Sequence, residues 1–162
     1  MKIYTFKRTQ IIPTSLQEAW DFFSSPVGLT KITPPSMKLN MKYKSGGEKM
    51  YPGQIIRYRV NVAPFISMTW VTEITHVSEP TYFVDDQRFG PYALWHHQHH
   101  FKEISEGVEM TDEINYAIPF GPLGRLANWL FVERQLNAIF DFRFHVLHQL
   151  FPEKGNNLQK SA

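Results

Sequence analysis

Between Met37 and Ile118 apolar side chains recur at every second residue, and from Pro122 to Phe151 they recur with the 3.6-residue period of a helix. A chain that follows a run of strands with one long helix must build a sheet with an apolar face and lay the helix across it. The strand patterns cover residues 37–43, 54–62, 66–77, 81–89, 94–104 and 108–118, with turn signals at Gly46-Gly47, Pro64, Gly90-Pro91 and Ser105–Gly107. Such short connections predict antiparallel neighbours, and a sheet of this many strands curves strongly. On the helix, Leu136, Phe140, Phe144, Leu147 and Phe151 form one stripe, widened by Val132, Ile139, Val146 and Leu150. At 1.5 Å per residue it would be roughly 40 Å long, enough to cross the concave face.

The N-terminal segment adds a strand over residues 2–12 that stops at Pro13. Thr14 or Ser15 can N-cap, Glu18 stands three residues after Ser15 as in a capping box, and Leu16, Ala19, Trp20 and Phe23 fall at helical spacing behind it. Pro26 opens a second short helix to Ile32, which Pro34 and Pro35 end. The expected architecture is α+β: a curved seven-stranded antiparallel sheet wrapped around a long C-terminal helix, with two short helices after the first strand. Residues 1–152 would form a single domain, and the polar residues 153–162 a frayed tail.

Composition narrows the function. The chain has 162 residues and no cysteine, which excludes disulfides, thiolate metal sites and cysteine nucleophiles. Its 17 Lys and Arg are scattered, without the clusters that phosphate binding needs, so no nucleic-acid partner is expected. No window reaches the ~18 apolar residues of a membrane span, and the N-terminus lacks a secretory apolar region, which predicts a cytoplasmic protein without a membrane span. Oligomeric state is not legible. Aromatic residues make up 15% of the chain, a surplus that suits the lining of a pocket as well as a packed core.

Polar residues enter the apolar faces in one place. Trp95, His97, His99 and Phe101 share one face of their strand, opposite His96, Gln98, His100 and Lys102. Phe83, Asp85, Gln87 and Phe89 share a face of the strand before, and Asp112 stands among Val108, Met110, Ile114, Tyr116 and Ile118 on the strand after. Asp85, Gln87, His97, His99 and Asp112 are therefore expected in one layer, with Asp112 opposite His97 or His99. Such a cluster can bind the polar end of a ligand, or its members can satisfy one another and fix strand register. His97 or His99 paired with Asp112 can also act as a general base, which makes these three the catalytic candidates.

His97-Gln98-His99 with Glu103 resembles the first metal motif of cupins. The second motif with its third histidine is missing, and a long C-terminal helix does not suit that fold, so neither metal nor cofactor is expected. His96 and His100 are read as a solvated face, as are Arg57 and Arg59. Trp20, Trp70, Trp95 and Trp129 occupy inward positions of their elements.

The order of elements, together with Ala19-Trp20-Asp21-Phe22-Phe23, Ile32-Thr33-Pro34-Pro35, Gly90-Pro91-Tyr92 and Pro119-Phe120-Gly121-Pro122, resembles the helix-grip fold of the SRPBCC superfamily. That superfamily takes in START, Bet v 1-like, polyketide cyclase and coenzyme Q-binding proteins, and the likeness is nearest to its small bacterial ligand-binding members, some described as cell-division-inhibitor-like. The resemblance implies a cavity between sheet and helix for a small hydrophobic or amphipathic molecule, such as a lipid, a quinone or a polyketide-like compound. Besides the polar cluster, the expected lining from the strands is Ile56, Tyr58, Met68, Trp70, Phe83, Trp95 and Met110, and from the helix Phe140 and Phe144. Entry is expected at Val62–Phe65, Gly90–Tyr92 or Gly121–Gly124. A binding module is expected in preference to an enzyme. The alternatives are a cofactor-free cyclase, dehydratase or hydrolase, and an interaction module with a closed core.

Overall fold

The structure, a computed structural model, describes residues 1–63 and 65–152. Its strands are β1 (Tyr4–Ile12), β2 (Asn40–Lys44), β3 (Gln54–Ala63), β4 (Ile66–Ser78), β5 (Tyr82–Phe89), β6 (Leu94–Ile104) and β7 (Gly107–Ala117). They form one antiparallel sheet in the order β1-β7-β6-β5-β4-β3-β2. Among the described residues only the pairing of β1 with β7 joins strands distant in sequence, and the other neighbours follow one another along the chain. Helices α1 (Leu16–Phe23) and α2 (Pro26–Lys31) fill the gap between β1 and β2. The Ser15–Glu18 capping box forms as expected, with the Glu18 N–H donating to Ser15 Oγ and the Ser15 N–H to Glu18 Oε2.

Strand β2 starts later than the alternation predicted. Pro35–Met37 is a 3₁₀ turn and Lys38 takes a left-handed conformation at φ 45°, so extension resumes only at Asn40. At the other edge, Gly107 has φ +133°, and a Cβ there would come within 2.3 Å of the Ile12 carbonyl oxygen. The hairpin it closes sets the β6–β7 register, in which His99 lies opposite Asp112 and Phe101 opposite Met110.

The C-terminal helix begins as α3 (Gly121–Ala127), passes through a π turn at Asn128–Val132, and continues as α4 (Glu133–Leu150). A π turn adds a residue to the helical ladder and rotates the faces around it. The expected inward position of Trp129 is therefore corrected: Trp129 is 74% exposed. Asn128 is buried instead, where its Oδ1 accepts from the Tyr116 hydroxyl at 2.9 Å. No helix among the described residues is long and apolar enough to cross a membrane.

Three groups of buried residues hold the sheet, the short helices and α4 together. One contains Trp20, Phe23, Phe83, Phe101, Met110 and Leu147, with Trp20 edge-on to Phe83 and Phe101 at 5.9 and 6.0 Å. Deleting the Trp20 ring would cost about 3–5 kcal/mol, the usual figure for a large buried aromatic. The second joins Ile114 and Tyr116 to Leu136 and Phe140, and the third holds Ile56, Tyr58 and Ile74. Members of all three groups also border one cavity, so the core does not close.

Candidate functional site

The cavity has a volume of about 380 Å³ and lies between the concave face of β3–β6 and the helix α4. Alternation along each strand builds its wall. Ile56, Tyr58, Val60 and Val62 come from β3, Trp70, Thr72 and Ile74 from β4, Phe83 and Asp85 from β5, and Trp95, His97 and His99 from β6. Leu136, Ile139, Phe140 and Arg143 come from α4. Trp70 stands edge-on to Trp95 at 5.2 Å and to Tyr92 at 5.7 Å, forming an aromatic wall. Of the expected entry segments, Val62 and Pro91–Tyr92 border the cavity, and Val62 is tied to α4 by the Gln135 side chain, which donates to its carbonyl at 3.0 Å.

The polar end is built by register. Asp85 stands opposite His97 across β5–β6, and His99 opposite Asp112 across β6–β7. The shortest contacts run diagonally as well as straight across: His97 Nε2 lies 2.9 Å from Asp112 Oδ1 and His99 Nε2 2.8 Å from Asp85 Oδ2. The two imidazoles lie against each other with centroids 3.8 Å apart, and Phe83 stacks on the far side of His99 at 4.0 Å. His97, His99 and Asp112 are buried, while Asp85 keeps a small exposed area.

Their electrostatics follow from this packing. Burial pushes the Asp112 carboxyl up, but hydrogen bonds from His97 and His99 and the Arg143 charge overcome it and hold the group far below the usual carboxylate range. Asp85 is likewise lowered against the effect of burial, by His97, His99 and Arg143. His97 is lowered by burial and by its neighbour His99, whereas His99, despite burial, is raised by its two carboxylates. Burial, then the Asp85 charge, pushes the Tyr58 hydroxyl up, so it meets the cavity as a neutral phenol.

Five predicted site residues do not line the cavity. Met68 lies nearer the exposed tip of the β3–β4 hairpin than Trp70, where β4's share of the wall ends. Met110 is buried in the Trp20 group, beneath the short helices. Gln87 shares the parity of Asp85, but its amide holds the following turn: it donates to the Tyr92 carbonyl at 2.8 Å and accepts from the Tyr92 N–H at 3.2 Å. Asp112 sits behind the imidazoles and reaches the cavity through them and through Arg143. Phe144 is 41% exposed and packs on His148 at 4.4 Å.

One residue central to the site was absent from the sequence expectation. Arg143 is buried on α4, lines the cavity, donates to Asp112 Oδ1 through Nη1 at 3.5 Å, and lies 4.4 Å over the Phe140 ring. Its Nε has no hydrogen-bond partner in the described structure. A signal was present. At about 100° per residue, Arg143 points within about 20° of Leu136, while Phe144 points about 80° away, so the charged residue holds the centre of the stripe.

No family model matches the chain, and no curated protein matches it. Solved structures do. Protein Ms6760 from Mycobacterium smegmatis aligns with a TM-score of 0.64 at 15% identity, covering 93% of this chain and 96% of its own. Ara h 8.0201 aligns with a TM-score of 0.61 at 13% identity, covering 91% of this chain and 99% of its own. The di-domain ARO/CYC BexL from the BE-7585A biosynthetic pathway aligns with a TM-score of 0.69 at 14% identity, over 94% of this chain and 51% of BexL. The chain has the Bet v 1-like helix-grip fold.

Proposed function

We propose that this chain binds one small amphipathic molecule, its apolar body against the aromatic wall and its polar end at the Asp85–His97–His99–Arg143 cluster. The observation that carries the reading is the cavity: about 380 Å³, walled by apolar residues and charged at one place. That volume lies above the ~300 Å³ low end of ligand pockets, which weighs against a closed interaction module. The unpartnered N–H of Arg143 favours a head group with an acceptor oxygen, such as a quinone or polyketide carbonyl or a lipid carboxylate. The likeness of fold to an ARO/CYC protein of a biosynthetic pathway supports a small-molecule reading.

Native mass spectrometry of the purified protein should show a retained apolar molecule. A titration of delipidated protein with a panel of quinones, fatty acids and polycyclic phenols should quench the fluorescence of Trp70 and Trp95. Val60→Trp, which fills the cavity from its wall, should abolish both signals. A bare mass together with an unresponsive titration across the panel would overturn the reading. A second reading, acid–base chemistry on the bound molecule, is favoured by the carboxylate-backed imidazoles on the wall. Turnover of a bound panel member that is lost in His97→Gln and His99→Gln would support it.

A further inference from the structure

All four ring nitrogens of His97 and His99 lie within 3.5 Å of a carboxylate oxygen, the two Nε2 atoms in hydrogen bonds. His97 Nδ1 and His99 Nε2 lie 3.4 and 2.8 Å from Asp85 Oδ2, and His97 Nε2 and His99 Nδ1 each lie 2.9 Å from Asp112 Oδ1. Two neutral imidazoles that carry their protons on Nε2 satisfy both hydrogen bonds, one to each carboxylate, and leave both Nδ1 atoms without one, His99 Nδ1 being buried with no partner. With both rings protonated, two cations lie against each other at a centroid distance of 3.8 Å. Hydrogen bonding alone leaves the box's nitrogens only half used.

Its two edges are not alike. The Asp112 edge is sealed, since Asp112 is fully buried and shares Arg143. The Asp85 edge borders the cavity. We propose that this edge, formed by Asp85 Oδ2, His97 Nδ1 and His99 Nε2, is a binding site for a first-row divalent transition-metal ion open to the cavity.

The three residues offer one donor atom each, all within 4.8 Å of one another. Metal–ligand bonds of about 2.0–2.1 Å set neighbouring donors roughly 3–3.5 Å apart, so the more distant donors draw together by about 1–2 Å to close on an ion. Two imidazoles and a carboxylate suit Fe(II), Co(II), Ni(II) or Zn(II) better than Mg(II) or Ca(II), which prefer oxygen alone. With the ion in place both rings are neutral, His97 Nε2–H donates to Asp112, and His99 Nδ1 lies 2.9 Å from the same oxygen, close enough for a small ring rotation to align it. A carboxylate behind metal-bearing imidazoles fixes their tautomers and orientation, and Arg143 balances its charge. The third ligand differs from the one the cupin-like spacing suggested: Glu103 is exposed beyond Phe101, and Asp85 of the neighbouring strand takes that place. The remaining coordination positions face the cavity, where an oxygen of the bound molecule can complete the shell.

The test is a titration of tag-free, chelator-stripped protein with Co(II), read by visible d–d absorption, with Zn(II) competition and elemental analysis. Wild type should take up one equivalent saturably and melt at a higher temperature in Zn(II). His99→Ala and Asp85→Ala should abolish the absorption, Asp112→Asn should weaken uptake about 10- to 100-fold, and His96→Ala, on the outer face of β6, should leave it unchanged. Wild type that shows no saturable uptake overturns the proposal whether or not the variants fold. So does uptake that survives in His99→Ala or disappears in His96→Ala. The organic-ligand titration is run with chelator present, so the failure of either proposal is seen separately from the other.

Discussion

Strand β6 carries four histidines, and its two faces treat them in opposite ways. His97 and His99 point inward, are buried, and meet two carboxylates and a guanidinium. His96 and His100 point outward: His96 lies 2.7 Å from Asp86 in partly exposed surroundings, and His100 packs on the Tyr82 ring at 4.6 Å. Each face has a His–Asp pair under 3 Å long. Geometry alone would rank the pairs as equals. They differ in what surrounds them, because exposed ion pairs contribute about 0–1 kcal/mol, whereas removing one partner of a buried pair leaves an uncompensated charge and costs about 3–5 kcal/mol.

The largest effect should therefore come from the cation behind the inner pair. Arg143→Met is expected to destabilise the protein by about 3–5 kcal/mol in urea unfolding, because it removes the guanidinium beside Asp112. Adding Asp112→Leu to that variant should recover much of the loss, since replacing both partners by apolar groups removes the orphaned charge. A loss below about 1 kcal/mol in the single variant would place the inner cluster in the same class as a surface pair.

Acid should separate the faces next. Asp85 and Asp112 are lowered in the fold, so the unfolded chain takes up their protons first, near the ordinary carboxylate value of about 4. Their contribution is complete above that pH and is lost as pH falls toward their folded values. The inner histidines oppose each other. Raised His99 contributes stability below its ordinary value of about 6.5 that is lost as pH rises, and lowered His97 contributes stability above it that is lost as pH falls. The carboxylates then carry the acid limb. In chelator, the urea midpoint of wild type should drop steeply below about pH 4, less steeply in Asp112→Asn, and unchanged from wild type in Asp86→Asn. Equal limbs in wild type and Asp112→Asn would remove Asp112 from this account.

Most of the fold was legible because the periods of two and 3.6 are local, and the strands, the capping box and the switch after Pro119 can each be found without knowing what they pack against. Parity also placed Asp85, His97, His99 and Asp112 in one layer. It could not say which pairs meet, because Gln87 has the same parity and a backbone turn claims its amide. Arg143 was missed although its angle on the helix puts it at the centre of the stripe, because a charge in an apolar stripe is legible only to a reader who trusts position over residue type. The outward turn of Trp129 depends on one inserted residue at Asn128–Val132, which leaves no mark in the hydrophobic pattern.

The smallest expected effects test the outer face. His96→Ala and His100→Ala should each change stability by no more than about 0.5 kcal/mol, since one removes a partly exposed ion pair and the other a surface ring contact. Coupling measures the contrast better than size. His97 and His99 share both carboxylates, so a double-mutant cycle between them should give an interaction of about 0.5–3 kcal/mol. The cycle between His96 and His100, which bind different partners, should close to within about 0.5 kcal/mol. Equal coupling on both faces would mean that strand geometry, and not the buried carboxylates, joins the histidines. Coupling confined to His97 and His99 would assign it to the groups at the polar end of the cavity.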